Sequence, residues 1–176
     1  MEHKFVVDRL VPGSVGNAIA NYLDMEHLVY HSGFNRIEVL EESYDRVKLL
    51  TVAKLGPFQI TMPGDGHYSD DFTLKQTVKM PVGQLRQTVF FGPVGGGTST
   101  QILTLVELDL PWFLYPMRRF IERRMRNSAA TVAVEDDAIL ARRQLLFGNY
   151  ISDYLREEQH LLFKRKFAAV FAQNPI

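Results

Sequence analysis

The sequence of 176 residues contains no cysteine. That absence excludes disulfide bridges, thiolate zinc sites, cysteine nucleophiles and Cys-ligated iron–sulfur clusters together. It accords with a reducing compartment. Charge of one sign is also missing in excess: 20 Lys and Arg stand against 20 Asp and Glu, so formal net charge is zero. No bulk basic field marks a nucleic-acid binder. No apolar run is long enough to cross a bilayer, and the opening MEHKFVVDRLV has no apolar signal-peptide core. The expectation is a cytoplasmic protein with no transmembrane segment and no nucleic-acid partner. Internal repeats, low-complexity tracts and a G-x-S-x-G nucleophile motif are missing too.

What is present suits a globular chain, with 46% hydrophobic and 23% charged residues. The length suits one domain over 1–176. The balanced charge hides an asymmetry. Residues 1–111 carry 9 Lys and Arg against 13 Asp and Glu, while residues 112–176 carry 11 against 7. The periodicity changes at the same place.

Before Pro111 the pattern is mostly that of strands. Lys4–Val11 alternates, with Phe5 and Val7 on one face and Val6 and Asp8 on the other. Pro12-Gly13-Ser14 breaks it and supplies a helix cap. Helical spacing follows from Val15 to Tyr30, with a possible split near Asp24. Further strands are expected at Phe34–Glu41, Val47–Leu55, Phe58–Met62, Phe72–Met80, Leu85–Phe91 and Thr98–Leu110. The expected turns are Tyr44-Asp45, Pro63–Gly66, Pro81–Gly83 and Gly92–Gly97. After Pro111 the spacing is helical. Phe113, Met117, Phe120, Ile121 and Met125 form a stripe opposite Arg118, Arg119, Arg123 and Arg126. Helical spacing returns at Ile139 and Leu140 and from Tyr150 to Phe171, with Gly148-Asn149 as a stop. Successive strands joined by short turns imply an antiparallel meander. The C-terminal helices are the available cover for its concave face, which gives an α+β grip with an apolar cavity wherever the cover is not flush.

This order of elements resembles the START/Bet v 1 (SRPBCC) helix-grip superfamily, with a curved sheet of about seven strands wrapped on long C-terminal helices. That superfamily includes the catalytic domain of Rieske-type ring-hydroxylating oxygenases. Asp24-Met25-Glu26-His27-Leu28-Val29-Tyr30-His31 is similar to the D-x-x-H-x-x-x-x-H segment of those oxygenases. Glu135-Asp136-Asp137-Ala138-Ile139-Leu140 followed by Gln144 is similar to their E-D-x-x-I-x-x-x-Q segment. The resemblance implies metal candidates His27, His31 and Asp136, with Asp24 behind them on the electron path. Two departures stand out. The second His is one residue closer to the first than in the family pattern, and no Rieske cluster domain is present.

The chemistry of that set is coherent. Residues i and i+4 share a helix face, two imidazoles and a carboxylate leave open positions for O₂ and substrate on Fe(II), and Asp24 at i−3 is placed to hold an imidazole nitrogen. The plain alternatives are a half-buried polar pair for His27 and His31, and a charge favouring a helix N-terminus for Asp136, with Asp137 equally placed to act. Arg118, Arg119, Arg123, Arg124 and Arg126 read as a solvated helix face or as a phosphate-binding group. Pro111–Pro116 reads as a strand-to-helix corner, a pocket rim or a membrane-touching tip. Met62, Met80, Met117 and Met125 read as adaptable core and pocket lining.

Two functions are therefore carried forward. The first is binding of a hydrophobic small molecule (a lipid, sterol, polyketide or aromatic compound) with no cofactor. The second is a mononuclear non-haem iron enzyme with a separate electron donor. The resemblance also admits a cofactor-free cyclase or aromatase, and the basic helix admits an interaction module.

Overall fold

The computed structural model describes residues 1–23, 36–43, 46–55, 58–69, 73–97 and 99–147. Alternation in the first segment makes strand β1 (Glu2–Pro12), with His3, Phe5, Val7, Arg9 and Val11 turned to the inner face. Ser14 then caps helix α1 (Val15–Leu23), its Oγ accepting from the Asn17 N–H at 3.3 Å. The remaining strands are β2 (Arg36–Glu42), β3 (Arg46–Leu55), β4 (Phe58–Ser69), β5 (Thr73–Lys79), β6 (Gln84–Val94) and β7 (Ser99–Asp109). A 3₁₀ turn at Tyr115–Met117 leads into helix α2 (Arg118–Phe147).

The seven strands form one antiparallel sheet in the order β1-β7-β6-β5-β4-β3-β2. The chain leaves β1, reaches the far edge at β2, and walks back until β7 lies beside β1. Register aligns the inner-face residues in rows across the sheet. One row runs Phe5, Val106, Gln87, Gln76, Gly66, Val47. The next runs Val7, Thr104, Val89, Leu74, and the one after it Arg9, Ile102, Phe91. Phe5, Val106, Leu108 and Leu110 form a buried cluster, with Ile121 and Met125 of α2 packed against it.

The structure departs from the sequence expectation at several places. Pro63–Gly66 does not end its strand, because β4 continues to Ser69. Pro63 pairs with Leu50 of β3, and pairing with β5 begins one residue later at Gly64. The missing N–H therefore falls where no β5 partner is paired. Gly66 is buried, and a Cβ there would lie 3.1 Å from Val47 Cγ1 and 3.6 Å from Gln76 Cγ. The glycine is a packing requirement and not a turn. Likewise β6 runs on to Val94, leaving only Gly95–Gly97 as the turn, with Gly95 and Gly96 at φ of 62° and 70°.

Residues 118–147 form one continuous helix, so Glu135–Asp137 sit in its body and not at a helix start. The apolar stripe also divides. Ile121 and Met125 pack on the core, while Phe113, Met117 and Phe120 are exposed. Helix α2 meets the sheet chiefly along β1, so only the part of the stripe facing β1 is covered. Tyr150–Phe171 and Gly148-Asn149 lie outside the described residues.

Candidate functional site

Because α2 lies along one side of the sheet, a cavity of about 410 Å³ remains between them. That volume suits a small-molecule pocket. The sheet supplies Phe5, Val7, Val89, Ile102 and Val106 as apolar wall. Helix α2 supplies Met125 and the small side chains Ala129, Ala130 and Ala133. The alanines keep the space open, since larger residues at those positions would fill it.

One end of the cavity is strongly polar. Arg9 is at an inward position of β1, and its guanidinium reaches α2. Nη1 donates to Asp136 Oδ2 at 2.8 Å, while Nη2 donates to Asp137 Oδ1 at 2.6 Å and to the Ala133 carbonyl at 2.9 Å. Arg9 Nε is buried without a hydrogen-bond partner. Burial opposes the charge on Arg9, but the hydrogen bonds to Asp136 and Asp137 outweigh it and hold the pKa above the ordinary value. Asn21, buried on α1, donates to Asp136 Oδ1 at 3.2 Å. One ionic knot thus joins β1, α1 and α2.

Tyr22 stands beside this knot and lines the cavity. Its ring meets Phe91 edge-on at 5.0 Å. Burial pushes its phenol up to about 12, with Arg9 pulling down and Asp136 pushing further up. At the other end, Arg126 lies over the Phe5 ring at 4.9 Å and donates to the Val6 carbonyl and to Glu122. Hydrogen bonds with His3 and Arg126 hold the Glu122 carboxyl below its ordinary range.

Among the sequence candidates, Asp24, His27 and His31 lie outside the described residues. Asp136 is described and buried. Both of its carboxylate oxygens already accept hydrogen bonds, one from a guanidinium. A divalent cation ligated there would share the carboxylate with Arg9, whose charge opposes it. Asp136 therefore fits an ion-pair acceptor better than an iron ligand in this arrangement. Asp137 shares the same Arg9, so both residues of the pair are engaged. Among the described residues, no group of three or more His, Asp or Glu is arranged to hold a metal ion.

Other candidates are placed as follows. Of the methionines, Met125 lines the cavity, Met80 packs on the core, and Met117 is exposed. Trp112 is also exposed, and pairs edge-on with Phe113 at 6.0 Å. Arg118 folds back over the Tyr115 ring. His67 belongs to strand β4. No described helix is long and apolar enough to cross a membrane.

Sequence reasoning missed Arg9, Gln76 and Gln87. The available signal was parity. Each occupies an inward position on a strand whose inward neighbours are apolar, and a polar side chain there needs a partner or a ligand.

No protein-family model matches this sequence, and no curated protein matches it significantly. Solved structures do match. The Zhui aromatase/cyclase from Streptomyces sp. R1128 superposes with a TM-score of 0.71 at 9% identity, over 81% of this chain and 96% of that one. A START superfamily protein from Mycobacterium smegmatis gives 0.62 at 11%, over 80% and 98%. A norcoclaurine synthase from Thalictrum flavum gives 0.64 at 13%, over 82% and 97%. The chain has the START/Bet v 1-like helix-grip fold.

Proposed function

We propose that this protein binds a hydrophobic small molecule in the cavity between the inner face of the sheet and α2. The observation that carries the reading is the cavity itself, about 410 Å³ walled by Phe5, Val89, Ile102, Val106 and Met125 and kept open by three alanines. An apolar space of that size attracts apolar surface out of water at roughly 25 cal/mol per Å² buried. The structural neighbours favour the same reading, since they include an aromatase/cyclase, a norcoclaurine synthase and a START superfamily protein. A lipid, sterol, polyketide or aromatic compound all fall within this class.

The test is extraction of the purified protein with organic solvent, followed by mass spectrometry, alongside titration with the neutral fluorophore N-phenyl-1-naphthylamine. The reading expects saturable binding at one site and displacement by the extracted molecule. Absence of saturable fluorophore binding by protein whose extract is empty would contradict it.

A further inference from the structure

The cavity floor carries a polar patch that the apolar reading does not use. Gln76 of β5 and Gln87 of β6 are direct cross-strand neighbours on the inner face. Thr104 of β7 lies in the adjacent row, paired with Val89. All three line the cavity and are half-buried. Among the described residues, none of their side-chain polar atoms has a hydrogen-bond partner. Gly66 lies beside Gln76 in the register, with 3.6 Å, an ordinary contact distance, between Gln76 Cγ and the point a Gly66 Cβ would take. Two carboxamides and a hydroxyl on the sheet side of the cavity offer donors and acceptors without charge.

The charged groups of the cavity point the same way. An arginine in a pocket ordinarily suggests an acidic ligand. Here Arg9 Nη1 and Nη2 already donate to Asp136, Asp137 and the Ala133 carbonyl, which leaves the buried Nε–H as the unpartnered donor of that group. Arg126 is taken by Glu122 and the Val6 carbonyl. Asp136 adds negative charge to the lining, while the Asp8 side chain lies on the opposite face of β1, where it accepts from Gln101. A ligand carboxylate would meet the Asp136 carboxylate and two guanidiniums whose charges are already countered by Asp136, Asp137 and Glu122.

We propose that the cavity selects an uncharged hydrophobic molecule bearing hydroxyl or carbonyl groups, held by Gln76, Gln87 and Thr104, over both an organic acid and a plain hydrocarbon. This rests on the hydrophobic-ligand reading and names the ligand class for that site. A hydroxyl satisfied by buried amides gains a net hydrogen bond, whereas a hydrocarbon leaves the amides desolvated and unpaired.

The experiment compares naphthalene, 2-naphthol and 2-naphthoate at neutral pH, where only the last is charged. Dissociation constants are measured by calorimetry for the native protein, for Gln76→Leu/Gln87→Leu, and for Thr104→Val. The native protein is expected to bind 2-naphthol about tenfold more tightly than naphthalene, the effect of one net hydrogen bond of the stronger kind, and more tightly than 2-naphthoate. The double variant is expected to lose the preference for the naphthol while retaining naphthalene, and Thr104→Val to lower it. Thermal unfolding of each variant checks that the fold is intact, which the unpartnered state of these side chains predicts. Tightest binding of 2-naphthoate, or a naphthol preference unmoved by the double variant, would overturn the proposal and leave the apolar cavity standing. Binding of none of the three compounds would overturn the cavity reading as well.

Discussion

Arg9 decides much of what happens at the scale of single residues. It lies on the inner face of β1 between Val7 and Val11, and it is stable there because two carboxylates meet it. Arg9→Met leaves Asp136 buried without its cation. Unpairing a buried charge costs about 3–5 kcal/mol, so a loss of about 3 kcal/mol is expected in urea unfolding. Adding Asp136→Leu should restore part of that loss, because an apolar pair needs no compensation. Additive losses in the double variant would mean that the knot is not a coupled unit.

Tyr22 gives a pH signature. Its phenol titrates near 12 in the fold, against an ordinary value of 10.0. The fold favours the protonated form, so this contribution to stability is complete below pH 10 and is lost as pH rises towards 12. Tyr22→Phe is expected to flatten the fall in stability over that alkaline window, measured by denaturant midpoints at successive pH values. An unchanged slope would contradict the buried placement of the phenol. The importance of Arg9 was only weakly legible in the sequence. Strand parity places it inside, but its partners come from α2, more than 120 residues away, and no local pattern joins them.

Helix α2 carries the functional argument among the elements. Its one continuous course from Arg118 to Phe147 puts Met125, Ala129, Ala130 and Ala133 along the cavity in succession. Ala130→Leu and Ala133→Leu should fill that space, weakening ligand binding by at least about tenfold while leaving stability within about 1 kcal/mol, since open space accepts the added methyl groups without strain. Binding titration and thermal unfolding together check this, and loss of stability without loss of binding would place those side chains in packed contact.

A second expectation concerns the turn from β5 to β6. Gly83 has φ of +95°, and a Cβ there would come within 2.1 Å of the Asp109 carbonyl oxygen. Gly83→Ala is expected to cost at least about 1–3 kcal/mol, read from its denaturant midpoint. Elements were the most legible level. Period-two alternation located the strands, and Ser14 announced its helix. Pro63 and the glycines at 64 and 66 were less legible, because residues that end strands elsewhere here continue β4, with Pro63 just ahead of the pairing to β5 and Gly66 close against Val47 of β3. The single helix over 118–147 was obscured by Glu135–Asp137. That acidic run looks like a helix start by charge alone, and only the distant Arg9 explains it in mid-helix.

At the scale of the whole molecule, the described residues form a sheet whose inner face α2 covers incompletely. A meander followed by helices could be read from the order of patterns, and with it the likelihood of an apolar space. The shape of that space could not, because it depends on where α2 crosses the sheet. That crossing is set by the pairing of Arg9 with Asp136 and Asp137 and by Ile121 and Met125 on the core cluster. The most direct test of the account is equilibrium titration of the protein with N-phenyl-1-naphthylamine, run in parallel on Ala130→Leu/Ala133→Leu. Saturable one-site binding is expected, weakened at least about tenfold by the double substitution in a still-folded protein. Binding of equal strength in the two proteins would place the ligand outside the space between α2 and the sheet.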